Sequence, residues 1–600
     1  MTLEIALVFA LLGLLGTAFV KEWFRYDIVA LGGFCILMLT GLISVKDAYA
    51  VFSNEAALTI AAMFVLSAAL QKTGVIDWLG DWLAHHSGSS LRFILLIVII
   101  PVSTASAFVN NTPIVAIMMP LLLSLCRRRN IAPSKLLIPL SYASIFGGCC
   151  TLIGTSTNLV ASGLAVRYGM NPIGMFELAW IGVPILVIGT LYLIVFGPHL
   201  LADRQSVSGL LSPDERTRTL CQFLIQKKSA LVGKTLVPGI FDPFFGRVEI
   251  IEVRRDGARV ALPLNRIEIR PFDRFLVSVP GRQSNLDIER SIQERTGAPV
   301  ESHGLEILST IEGMVVEGIV AAHSSLLNHS LRSLNFRQTF GLLVKAVHRK
   351  GESLVGSFTD TRLQFGDTLL LLGPLSTVRQ MRDKGDILLL DEVSGINVSW
   401  PRAGLVLGVL ALVISLAAFE VMPIIALATI GCAVVLFTRC IEPDEAYRSI
   451  DWSVMVMIFC MMGMGVAMEH SGAAKFLADN MIASVQGWVP AEWLPYVSLA
   501  LIFLLCTLLT EIMSNAATVI VLIPIGISCA ATLQVDPRPF IIAITIAGSA
   551  AFASPIGYQT HTMVYGAGGY RFTDFLKVGI PLNLIAWATA ILVIPRVWPF

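Results

Sequence analysis

Runs of hydrophobic and polar positions divide the chain into three blocks. Residues 1–200 are apolar with short polar breaks, 201–399 are polar, charged and strand-like, and 400–600 are apolar again. Apolar runs near 3–20, 27–45, 55–71, 91–109, 112–126, 136–166 and 177–197 predict membrane helices, since a bilayer core is spanned by about 20 apolar residues. The same order returns at 403–419, 422–439, 452–468, 495–511, 515–533, 539–565 and 575–594. A polar, amphipathic piece with Asp77, Asp81, His85 and His86 follows the third run. The first run opens with Glu4 and lacks a basic leader, so a retained span is expected rather than a cleaved signal peptide.

The recurrence extends to individual residues. "FVNNTPIVAIMMP" (108–120) superimposes on "IMSNAATVIVLIPI" (512–525), with Asn110-Asn111-Thr112 on Ser514-Asn515-Ala516 and Pro120 on Pro524. "LIGTSTNLV" (152–160) falls on "PIGYQTHTMV" (555–564), placing Gly154 on Gly557 and Asn158 on His561. "WIGVP" matches "KVGIP", and Gly74 matches Gly472. Internal repeats of this kind mark secondary transporters, whose site lies between the halves near the midplane. With each polar interruption taken as the tip of a re-entrant hairpin, each half crosses an odd number of times, which inverts one half against the other. Lys21, Arg25, Arg92, Arg127, Arg128, Arg129, Lys135, Arg439, Arg448 and Arg571 then share one side with the polar block, against Lys46, Arg167, Lys475, Arg538 and Arg596 on the other. The positive-inside rule puts the polar block in the cytoplasm and both termini outside, in a bacterial inner membrane.

Composition supports a membrane protein: 55% of residues are hydrophobic and 14% charged, against about 25% charged in soluble domains. A net charge of +1 argues against a nucleic-acid partner. No phosphate-binding glycine loop and no metal-type Cys/His spacing stands out. Cysteines such as Cys35, Cys149, Cys460 and Cys506 sit in apolar segments and read as small core residues. The chemistry therefore rests on the polar interruptions. Non-helical backbone at membrane depth survives only where it is buried in protein or lines a cavity. There, N–H ends of half-helices attract anions and carbonyl ends attract cations. A single Asn-Asn-Thr is more often an interhelical hydrogen-bond patch. Two copies, each followed by a Gly-rich break, favour binding. Glu511 adjoins the second tip, and its plainer reading is local pairing.

These residues resemble the divalent anion/sodium symporter family, which carries a Ser-Asn-Thr motif at each of two hairpin tips and a Gly-rich helix break after each. The resemblance covers both apolar blocks. It implies a polytopic α-helical membrane protein with inverted repeats, re-entrant hairpins and broken helices, working as an elevator-type homodimer in the lipid bilayer. Carried over, the anion site comprises Asn110, Asn111, Thr112, Asn158, Ser514, Asn515, Ala516, Gly557, Thr560 and His561. Sodium, the coupling ion, is expected at Asn111 with Gly148, Thr151 and Gly154, and at Asn515 with Ala553 and Pro555. Asn110 replaces a serine, Ala516 a threonine and His561 an asparagine of the family pattern, which weakens the case for dicarboxylates. "SPIGYQT" and the polar block are similar to the sulfate-transporter branch. The implied function is sodium-coupled transport of a small divalent oxyanion, sulfate first. The alternative substrate is a C4-dicarboxylate, by symport or exchange. His561 adds a further expectation: protonation of its imidazole would strengthen anion binding as pH falls.

The polar block carries its own duplication. Gly246 falls on Gly341, Gly257 on Gly351 and Asp273 on Asp367, within strands separated by Asp-Gly or Lys-Gly turns. Two tandem α+β modules, 201–300 and 301–399, are expected between membrane halves 1–200 and 400–600. They resemble the C-terminal domain of regulators of potassium conductance (TrkA-C), which implies a cytoplasmic regulatory role with a nucleotide or other small ligand. An antiporter would need intramembrane carboxylates, which are scarce. A membrane-anchored ligand sensor would have no use for broken helices at the midplane. His323, His329 and His348 lack a paired nucleophile, so no enzymatic role is expected.

Overall fold

The computed structural model describes every residue except 1, 22–23, 53, 77, 80–81, 83–89, 130, 204–216, 238, 246–247, 256–257, 261–266, 281–283, 304, 322–323, 350–351, 355–358 and 390–398. Asp77, Asp81, His85, His86, Gly246, Gly257, His323 and Gly351 therefore lie outside the described residues. The chain forms two compact units, Met1–Arg204 with Val393–Phe600, and Gln205–Glu392.

The first stretch of the helical unit runs α1 (Leu3–Val20), α2 (Tyr26–Leu39), α3 (Glu55–Lys72), α4 (Leu91–Ser106), α5 (Asn111–Arg129), α6 (Leu137–Gly148), α7 (Ser156–Arg167) and α8 (Ala179–Val195). Local chemistry sets the ends. Asn54 caps α3 by accepting from the Ala56 N–H at 2.9 Å. Gly74 follows the helix at φ 78°, a left-handed position that glycine fills without strain.

Among its described residues the second unit forms a single antiparallel sheet of nine strands, in the order β3-β2-β4-β1-β5-β8-β6-β7, with β9 also on β5. The strands are β1 (Thr217–Ile225), β2 (Glu249–Arg255), β3 (Ala258–Arg259), β4 (Arg274–Pro280), β5 (Leu305–Val320), β6 (Leu343–Arg349), β7 (Glu352–Ser353), β8 (Thr368–Gly373) and β9 (Ile387–Leu389). Helices α9 (Asn285–Thr296) and α10 (Leu375–Asp383) follow β4 and β8. Two groups of strands, each with its own apolar core, share β5. The first core gathers Phe223, Phe241, Phe275 and Ile292, the second Val347, Leu369, Val378 and Ile387. The sequence suggested two tandem modules; β5 pairs with β1 through its first part and with β8 and β9 through its last, so the strands of the two groups are joined in one sheet.

The two groups repeat their hydrogen bonds. Arg255 donates to both Asp273 carboxylate oxygens at 2.8 Å, and Arg349 donates to Asp367 at 2.8 and 2.7 Å, across the same separation of 18 residues. Each Asp also accepts a backbone N–H at 2.8 Å, from Arg270 and Gln364 respectively. Both carboxylates are buried, so full pairing is what makes their burial tolerable.

The helical unit resumes with α11 (Trp400–Ala418), α12 (Ile424–Phe437), α13 (Trp452–His470), α14 (Ala473–Gln486), α15 (Leu494–Thr510), α16 (Asn515–Leu533), α17 (Arg538–Ser549), α18 (Gln559–Ala567) and α19 (Phe572–Val597). Asp451 caps α13 as Asn54 caps α3, and Gly472 follows α13 at φ 76° as Gly74 follows α3. Among the described residues six helical spans are long and apolar enough to cross a membrane, and seven further apolar helices are shorter. The two stretches interleave: α2 packs on α13, α3 on α12, α8 on α19, and α7 on α16 and α17.

Candidate functional site

Each polar interruption is a connection between two helices. Ala107–Asn110 joins α4 to α5, and Glu511–Ser514 joins α15 to α16. The asparagine opening each second helix is held by a hydroxyl five residues earlier. The Ser106 hydroxyl donates to Asn111 Oδ1 at 2.5 Å, and the Thr510 hydroxyl to Asn515 Oδ1 at 2.8 Å. Ser514 caps α16 through the Ala517 N–H, and its hydroxyl points to Met457 Sδ at 3.1 Å.

The two breaks also match. Cys149–Thr155 separates α6 from α7, and Ala550–Tyr558 separates α17 from α18. The Asn158 amide donates to Thr151 O at 2.8 Å and Gly148 O at 2.9 Å. His561 Nδ1 bonds Ser554 O at 2.9 Å. A carbonyl only accepts, so Nδ1 carries the proton. A glycine of the following long helix lies against each break: a Cβ on Gly182 would stand 2.4 Å from Cys149 O, and one on Gly579 2.0 Å from Phe552 O.

The four pieces converge through Tyr558. Its hydroxyl accepts from Asn111 Nδ2 at 2.7 Å and lies beside Asn515, so one phenol stands between the asparagines of both tips. The neighbouring Gln559 accepts from the Thr112 hydroxyl at 3.0 Å. Ser549, at the end of α17, donates to Asn158 Oδ1 at 3.3 Å, linking the second break to the first. The Thr151 hydroxyl donates to Ala107 O, and the Gly154 N–H donates to Thr151 Oγ1 at 3.1 Å. A Cβ on Gly148 would stand 3.1 Å from Asn111 Oδ1 and 2.6 Å from the Thr155 methyl. The missing side chain thus lets the Gly148 backbone pack directly against the Asn111 amide and Thr155.

Of the residues singled out from sequence, Asn111, Thr112, Gly148, Thr151, Gly154 and Asn158 belong to this connected network, and Asn515, held by Thr510, lies beside it. Asn110 is half-buried, Ser514 exposed, and Ala516, Ala553, Pro555 and Gly557 buried. Thr560 and His561 have no exposed surface. Thr560 accepts from the Ser141 hydroxyl at 2.8 Å, and the His561 ring sits among Tyr142, Tyr558 and Phe575. Both side chains brace the break from within the protein. Ser106, Thr510, Tyr558 and Gln559 were missed in the sequence. The hydroxyl five residues before each tip asparagine was a readable signal, whereas Tyr558 stands where the first half has Thr155 and gave none.

The sequence profile described as "Citrate transporter" matches residues 17–547. The chain belongs to the citrate transporter family. This family lies within the divalent anion/sodium symporter superfamily, so the resemblance read from the tips holds at that broader level. An uncharacterized transporter of Synechocystis sp. is 36% identical over 598 residues, covering 98% of this chain and 97% of that one. A putative sulfur deprivation response regulator of Chlamydomonas reinhardtii is 30% identical, covering 93% and 96%. Sodium/sulfate cotransporter 2 of the same alga is 23% identical, covering 90% and 84%. The family places the protein among membrane transporters of citrate and divalent anions.

Proposed function

We propose that the protein is a sodium-coupled secondary transporter of a small divalent oxyanion, with sulfate as its first substrate. The observation that carries this reading is the Tyr558 hydroxyl, which accepts from Asn111 and lies beside Asn515, because it supports reading the two tips and the second break as one site. Sodium is assigned to the oxygens around Asn111, Gly148, Thr151 and Gly154, and to those around Asn515, Ala553 and Pro555. The anion is assigned to the tips Asn110-Asn111-Thr112 and Ser514-Asn515-Ala516 beside Gly557, with Asn158, Thr560 and His561 supporting the breaks. Among the described residues no lysine or arginine joins the polar network, which favours an anion bound with its cations, by backbone dipoles and amides. Relatives named as sodium/sulfate cotransporters support sulfate over a C4-dicarboxylate.

The two halves are read as inverted repeats of an elevator that works as a homodimer in a bacterial inner membrane, with both termini outside. The insert is read as a pair of cytoplasmic regulatory modules of TrkA-C type. A cavity of about 930 Å³ within it, lined by Leu276, Leu343, Leu372, Arg254, Arg332 and Arg337 among others, offers room for a small ligand such as a nucleotide.

Proteoliposome uptake of labelled sulfate, succinate and citrate, with and without a sodium gradient, tests the assignment. Sodium-driven accumulation of sulfate is expected, with weaker competition from succinate and citrate. Accumulation of citrate or succinate alone would overturn the sulfate assignment, and uptake indifferent to sodium would overturn the coupling.

A further inference from the structure

Tip and break are tied together in both halves, and the break donates in each, but side chain and backbone exchange places. In the first half a break side chain meets tip backbone, since the Thr151 hydroxyl donates to the tip carbonyl of Ala107. In the second half, Glu511 takes the place of Ala107 as the residue that ends the helix before the tip. Its Oε1 accepts from the Ala553 N–H at 2.8 Å and from Asn583 Nδ2 at 2.7 Å. Asn583, four residues beyond Gly579 on α19, accepts from the Phe552 N–H at 3.2 Å. Its counterpart beyond Gly182 is Leu186, which makes no such bond. Glu511, Asn583, Phe552 and Ala553 thus close a ring that joins tip, break and α19.

We propose that Glu511, with Asn583, is a positioning residue: a strut that holds the second break against the second tip so that Tyr558 reaches both asparagines. The idea rests on the reading of tips and breaks as the transport site. The unwound stretch from Ala550 to Tyr558 has lost its helical ladder, so its N–H groups need other acceptors. Two of them, at Phe552 and Ala553, find theirs in this ring. The role requires one accepting oxygen and no net charge. Glu511 Oε2 is buried and has no hydrogen-bond partner among the described residues. It faces the position where a Cβ on Gly557 would stand, at 3.3 Å, beside Thr510 O at 3.1 Å. Glutamine keeps the accepting oxygen and puts an uncharged amide nitrogen where Oε2 makes no bond.

The test compares Glu511→Ala, Glu511→Gln and Asn583→Ala in the full-length protein reconstituted in nanodiscs and proteoliposomes. Hydrogen exchange is read on peptides covering 550–558, and sodium-driven sulfate uptake is measured in parallel. Glu511→Ala and Asn583→Ala are expected to speed exchange of these amides about tenfold and to raise half-saturating sodium about tenfold, the scale of a lost buried acceptor. Glu511→Gln is expected to stay within about twofold of the parent in both. A glutamine variant as impaired as the alanine variant would overturn the strut and make the charge itself the requirement. Unchanged exchange in Glu511→Ala and Asn583→Ala would overturn it as well. If Glu511→Ala does not fold, Asn583→Ala still decides, because it keeps the carboxylate and removes its side-chain donor together with the acceptor of the Phe552 N–H. Exchange that behaves as expected in a protein that does not carry sulfate would overturn the sulfate assignment and leave the strut standing.

Discussion

Alanine at Gly579 should damage transport more than alanine at Gly182, and both should exceed alanine at Gly404. The added Cβ at Gly579 falls 2.0 Å from Phe552 O and 2.4 Å from its carbonyl carbon, whereas the one at Gly182 falls 2.4 and 2.7 Å from the same atoms of Cys149. Ordinary contact begins near 3.4 Å. The second break must therefore retreat by about 1.4 Å and the first by about 1 Å, and neither contact is a flexible side-chain end that can swing away. A shift of that size breaks the 2.8 Å bond from the Ala553 N–H to Glu511 and the 3.2 Å bond from Phe552 to Asn583. Binding constellations work only within about 0.5 Å of their geometry. Overpacking of this kind costs about 1–3 kcal/mol, which a folded helical unit can survive. Sodium-driven uptake should fall at least tenfold for Gly579→Ala and less for Gly182→Ala, at equal amounts of monodisperse protein. Gly404→Ala meets nothing within 4 Å and serves as the control. Equal uptake by Gly579→Ala and Gly404→Ala would refute the close-approach argument.

Tyr558→Phe leaves the buried Asn111 amide without its acceptor, at about 1–3 kcal/mol. Half-saturating sodium should rise about fivefold to a hundredfold with expression intact, and an unchanged sodium curve would remove Tyr558 from the site. Asp273→Asn and Asp367→Asn each break a buried bidentate pair, at about 3–5 kcal/mol. Thermal proteolysis of the insert in the full-length protein should show similar losses for the two, and a large difference would show that the matched bonds are not equivalent. Burial holds the His348 imidazole below its usual pKa, so the unfolded chain takes up a proton that the folded insert resists. Insert stability should therefore be full above about pH 6.5 and fall as pH drops below it. His348→Gln should flatten that slope, and identical slopes would refute the assignment. His561→Asn should retain transport, since Asn158 makes the corresponding bond to the Thr151 carbonyl. Loss of uptake at normal expression would give the imidazole a direct role.

The polar connections, the helix breaks and the matched glycines were legible because each is written twice in the chain. That Gly182 and Gly579 stand against the breaks was not legible, because a close helix crossing shows only in the fold. The Arg–Asp pairs of the insert were half legible: Asp273 and Asp367 align, while their arginine partners lie on another strand. What the superposition of halves could not give is where the halves differ. Glu511 aligns with Ala107, Asn583 with Leu186 and Tyr558 with Thr155, so comparison treats each as noise. Their meaning lies in bonds between elements remote in sequence, which only the fold brings together. His561 was legible as the counterpart of Asn158. Its aromatic surroundings were not, since Tyr142 and Phe575 come from two other helices.

Strand β5 has a consequence for how the insert can change length. Its backbone passes from one ladder to the other at Met314, which pairs with Thr217 on β1 and with Gly373 on β8. Side chains alternate between faces with a period of two, so one residue gained or lost within Leu305–Val320 would turn one whole group of strands inside out relative to the other. β5 already carries one such irregularity, where its pairing with β1 skips Leu308, and any further change would have to be absorbed by another bulge. Length variation among natural relatives should therefore collect in the hairpin connections and leave this strand at constant length, a tally that can be made from sequences alone.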